Sequence, residues 1–92
     1  MTMKYSIDLK SISTLYQLHE YLKQIFSLPE HYGMNMDALW DCLLYAFDEL
    51  VVIELLNTAA VPDSLANSVK ILSSLLKRLE MEDENVTVVI EE

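Results

Sequence analysis

Two aspartates one helical turn apart, Asp37 and Asp41, with Trp40 between them and His31 in the turn before, are the residues whose types and spacing could carry chemistry. Carboxylates and an imidazole can be drawn as a general acid–base set or as ligands to a cation. Either use needs enclosure, whether a pocket that shifts a pKa or several donors converging on one ion. These aspartates fall instead on the outward side of a helix. The chain also has no phosphate-cradling glycine loop, no Gly-x-Ser-x-Gly elbow and no Cys-x-x-Cys. Cys42, the single cysteine, falls on the inward side of the same helix and reads as a small hydrophobe. The expectation is a non-enzyme with no catalytic residues, no metal ligands and no cofactor.

The element that must position these groups begins at Asn35, a good N-cap. Leu39, Cys42, Leu43, Ala46, Phe47 and Leu50 follow at helical offsets, which predicts a helix over 35–50 with that face in the core. Laid out at about 100° per residue, the opposite ridge holds Asp37, Asp41, Leu44 and Asp48, flanked by Trp40 and Tyr45. A solvated face accounts for the aspartates. It does not account for Trp40 or Leu44, and like charges at i,i+4 weaken a helix without helping it fold. Acids around an apolar anchor have the composition of a protein-binding surface. Its candidate residues are Asp41, Asp37, Trp40, His31, Tyr32, Gly33, Asn35, Leu44, Tyr45 and Asp48. Gly33, the only glycine, is expected where φ is positive or another backbone comes close. If His31 faces Asp37 or Asp41, partner affinity should change between about pH 5 and 8.

Around this helix the chain alternates strand and helix patterns. Tyr5, Ile7 and Leu9 alternate with polar residues, predicting a strand over 4–9. Thr14 and Gln17 form a possible capping box for an amphipathic helix that runs to Ser27 and is ended by Pro29. His19 lies beside the apolar stripe of that helix and is read as a packed, hydrogen-bonded histidine. Val51-Val52-Ile53-Glu54-Leu55-Leu56 suits a strand buried on both faces. A short helical turn is possible over 62–67. Ser68 can cap a last helix with Leu72, Leu75, Leu76 and Leu79 inside and Lys70, Lys77 and Arg78 outside, before Glu80, Glu82, Asp83 and Glu84 form a loop. Val86-Thr87-Val88-Val89-Ile90 closes as a strand. This order predicts an α/β fold, a small three-stranded parallel sheet with helices packed on it.

Ninety-two residues, about half hydrophobic, suit a single domain over 1–92. Fifteen Asp plus Glu against six Lys plus Arg give a formal charge of −9, which repels nucleic acid and anionic lipid and attracts basic partners. No apolar run approaches the roughly 20 residues needed to span a bilayer. One cysteine cannot form an internal disulfide, and no signal-like start is present, so the expected compartment is reducing cytoplasm. The like-charged ridge opposes self-association, so the free protein is expected to be a monomer.

Leu18-His19 through Leu28-Pro29, then Leu28-Pro29-Glu30-His31-Tyr32-Gly33 with Asn35 and Asp37-Ala38-Leu39-Trp40-Asp41-Cys42-Leu43, resemble the barstar family of intracellular ribonuclease inhibitors. The closing 86–90 strand after an acidic loop is similar too. The resemblance implies a barstar-like fold and an immunity function in which the second helix and the turn before it occlude a ribonuclease active site, aspartates standing where substrate phosphates would. It makes Asp41 the principal contact, with Asp37, Trp40, Gly33 and Asn35 around it. The chain departs from the family at His31, where a stacking tyrosine is usual. It departs again at Tyr45 and Ala46, which replace a glycine and a tryptophan, and at Arg78, which replaces a glutamate. The alternative reading is an acidic interaction module that binds a different basic protein without inhibiting a nuclease.

Overall fold

The structure, a computed structural model, describes residues 2–92. Strands β1 (Met3–Asp8), β2 (Val51–Leu56) and β3 (Val86–Ile90) form one sheet in the order β1-β2-β3, all parallel. Helices α1 (Leu15–Ile25), α2 (Met36–Leu43) and α3 (Ala66–Glu82) fill the connections. The α/β arrangement is as the strand–helix alternation implies.

The register aligns Ile7 with Leu55, and Ile53 with Val88. These residues, with Val51 and Val86, are buried against Leu18, Leu22, Leu39, Leu43, Leu72, Leu76 and Leu79 of the helices. The other face of β2 is not buried, contrary to the expectation from its apolar run: Val52, Glu54 and Leu56 are half-buried. Parallel strands that step in one direction through right-handed crossovers leave both connections on the same side, so the helices cover one face only. On the uncovered face Glu54 accepts from Ser6 Oγ at 2.7 Å and pairs with Lys4 at 3.3 Å.

Helix ends differ from their sequence signals for local reasons. Thr14 caps α1 through the Gln17 N–H, while Gln17 Oε1 accepts from the Ser13 N–H at 2.9 Å. The helix stops at Ile25, before Pro29 is reached, because Ser27 turns left-handed (φ 51°) and the Leu28 N–H bonds the Lys23 carbonyl at 2.9 Å. α3 starts at Ala66 directly from a 3-10 turn over Asp63–Leu65, with no side-chain cap, so Ser68 lies inside it. At its far end α3 continues through Glu82 rather than stopping before Glu80. The Glu80 carboxylate is held by the Val88 N–H at 2.6 Å and by Lys77 at 3.6 Å, which offsets its unfavourable place near a helix C-terminus.

The largest difference concerns α2, which ends at Leu43 and not near residue 50. Leu44 is extended, Tyr45 is left-handed (φ 56°), and the chain turns back to start β2 at Val51. This turn carries Phe47 to Tyr5 and Phe26, with ring centroids 5.8 and 6.4 Å away, and its carbonyl accepts from Asn85 Nδ2 at 2.9 Å. Phe47 therefore joins the core from a loop, and Leu50, expected inside, is 56% exposed.

Candidate functional site

The start of α2 is held from three sides. Asn35 Oδ1 accepts from the Ala38 N–H at 2.8 Å, and its Nδ2 donates to the Gly33 carbonyl at 3.0 Å. Gly33 does not have positive φ. Met34 takes the left-handed conformation instead (φ 56°), and what Gly33 provides is room. A Cβ there would lie 3.2 Å from Ala38 Cβ and 3.3 Å from Asn35 Nδ2.

Beneath this turn, Tyr32 is buried, only 6% exposed. Its hydroxyl lies 2.8 Å from His19 Nδ1 and donates to the Asn35 carbonyl at 3.3 Å. His19 is thus the packed, hydrogen-bonded histidine expected, and burial holds its pKa below the ordinary value. Burial, and secondarily Cys42, push the Tyr32 hydroxyl up to about 12. Tyr32 was expected on the binding surface, and the structure corrects this: its ring is a core group that ties α1 to the N-cap of α2. The i+1 alternation in the turn hides Tyr32 and leaves His31 exposed. Among the described residues, His31 makes no hydrogen bond or ion pair to Asp37 or Asp41.

Asp37 and Asp41 are exposed on α2, and among the described residues neither is ion-paired or hydrogen-bonded through its side chain. Asp37 sits in the first turn, where the helix dipole favours an anion. Trp40 is half-buried against the core margin, so it is less free than its place off the apolar stripe suggested. These three residues and Met36 line one wall of a groove of about 420 Å³. Ile71, Ser74, Leu75 and Arg78 of α3 line the other. The Arg78 guanidinium lies over the Trp40 ring, 4.9 Å from its centroid.

The rest of the expected ridge does not share this groove. Asp48 is exposed in the α2–β2 loop, at a separate hollow with Met3, Tyr5 and Ala46, because the helix that would have aligned it with Asp41 stops at Leu43. Tyr45 is 66% exposed and lines another hollow with Met81 and Glu82. Leu44, at the helix C-cap, is half-buried. Cys42, placed inside by periodicity, is half-buried. On the α3 wall, Leu75 was expected inside and Arg78 outside, and Ile71 and Ser74 were not singled out by the sequence. Ile71, Ser74, Leu75 and Arg78 recur at offsets of three and four beside the buried leucine stripe, and that row was the available signal.

The arrangement presents two open carboxylates on one wall of the groove, beside a tryptophan covered by Arg78, and open carboxylates suit cationic side chains. Among the described residues no cluster of three or more His, Cys, Asp or Glu side chains is placed to hold a metal ion. Among the described residues no helix is long and apolar enough to cross a membrane.

Comparison with known proteins gives two matches of interest. The family model described as Barstar (barnase inhibitor) matches residues 2–91. A Bacillus subtilis (strain 168) protein named "Putative ribonuclease inhibitor YrdF" is 45% identical over 40 residues, which cover 44% of this chain and 44% of that relative. The match thus spans less than half the length of either protein.

Proposed function

This chain belongs to the barstar family, and from that premise we propose that it is a non-catalytic inhibitor, an immunity protein of the cytoplasm, that docks α2 and the preceding turn on the basic cleft of a ribonuclease. The observation that carries this reading is the pair Asp37 and Asp41, exposed, unpaired and set beside Trp40 in the groove. A cleft that binds a polyanion is lined with Arg and Lys, so a fixed acidic ridge is complementary to it and blocks the path of the substrate. The charge of −9 adds long-range steering. Asn35, Gly33 and the Tyr32–His19 contact hold the ridge still before binding, which lowers the ordering cost on association. The protein acts as a monomer and forms a one-to-one complex.

The test is inhibition of RNA cleavage by barnase, or by a co-encoded basic ribonuclease, with wild type and Asp41→Ala. Wild type should inhibit one of these enzymes, and Asp41→Ala should weaken inhibition by about 2–5 kcal/mol, the general range for truncating one partner of a desolvated charge pair. Equal inhibition by the two proteins would refute the mechanism. Capture of one consistent basic protein without ribonuclease activity would favour the interaction-module alternative.

A further inference from the structure

The groove holds one feature that a site for a uniformly basic partner does not need. Arg78 is the only arginine in the chain and it stacks on the only tryptophan, 4.9 Å from the ring centroid. It lines the same groove as Asp37 and Asp41, yet among the described residues its charge is in no ion pair. Its neighbours Lys77 and Glu80, by contrast, pair with each other at 3.6 Å. The stack fixes the position of a permanent cation, because guanidinium cannot shed its proton to escape an unfavourable neighbour.

Resting on the docking reading above, we propose that Arg78 is a specificity-determining residue: it disfavours ribonucleases whose cleft is basic over the whole footprint and selects one that presents a carboxylate opposite α3. The partner surface would then be bipolar, with cations meeting Asp37 and Asp41 across α2 and an acid meeting Arg78 across the groove. Interfaces gain specificity from such mismatches as much as from matched pairs, since a like-charge juxtaposition in a desolvated contact is strongly unfavourable. The two charge effects act over different ranges. The net negative charge attracts any basic protein from a distance, whereas Arg78 discriminates only at contact, inside a screening length of about 10 Å.

Barnase serves as the probe, because its polyanion-binding cleft must be basic. Inhibition constants are measured for wild type, Arg78→Ala and Arg78→Glu, each with and without Asp41→Ala, and circular dichroism confirms folding. Arg78→Glu should inhibit at least about tenfold more tightly than wild type, and Arg78→Ala should fall between. The proposal is overturned if Arg78→Glu inhibits no better than wild type, including the case where neither inhibits. It is also overturned if Arg78→Ala gains as much as Arg78→Glu, which would indicate packing and not charge. The Asp41→Ala arm separates the two readings. A loss of inhibition there without any gain from Arg78→Glu rejects only the role of Arg78, whereas no loss rejects the docking site itself.

Discussion

Two groups of acidic side chains in this molecule use their charge differently. On the uncovered face of the sheet, Glu54 is bonded to Ser6 and paired with Lys4, and these partners, Ser6 first, hold its pKa below the usual carboxylate value. On α2, Asp37 and Asp41 have no partner among the described residues, although they repel each other one turn apart. A charge satisfied within the chain contributes to the fold. A charge left open beside a half-buried tryptophan and a groove makes no such bond among the described residues.

Breaking both open charges should have the largest effect. Asp37→Ala/Asp41→Ala should lose more than about a hundredfold in inhibition, while thermal unfolding stays near wild type. Titration of a ribonuclease followed by a thermal melt measures both. Next comes the rigid support. Tyr32→Phe leaves His19 Nδ1 without its buried partner and should lower stability in urea by about 1–3 kcal/mol.

The same pair sets a pH dependence. Because His19 is held below its ordinary value of 6.5 by burial, the unfolded chain binds a proton there that the folded chain refuses. Its contribution is complete above that value and is lost as pH falls. Tyr32 gives the opposite limb. With its hydroxyl pushed up to about 12, the folded chain keeps a proton that the unfolded chain releases above the ordinary 10.0, so stability declines as pH rises between these values. Urea midpoints across the range should show both limbs, and His19→Gln should flatten the acid one. Asn35→Ala removes the cap of α2 and should cost about 1 kcal/mol.

Much of this was legible in the sequence. The three strands, the Thr14 and Asn35 caps and the Asp37–Asp41 spacing follow from alternation, cap chemistry and helical period, which are local signals. What was not legible is tertiary. Ala46, Phe47 and Leu50 continue the period of α2 by coincidence, and only the packing of Phe47 on Tyr5 and Phe26 shows that the helix has ended. That early end removes Asp48 from the ridge. The buried Tyr32 hydroxyl meets His19, a residue of α1 distant from it in sequence. The second wall of the groove comes from α3, and its row of Ile71, Ser74, Leu75 and Arg78 gains meaning only once α2 is beside it.

The most direct test sets the two carboxylate groups against each other with isosteric changes. Asp41→Asn and Glu54→Gln are titrated against the same ribonuclease in one buffer. The open-charge account predicts a large loss of affinity for Asp41→Asn and an affinity indistinguishable from wild type for Glu54→Gln. Equal losses, or a loss confined to Glu54→Gln, would contradict it.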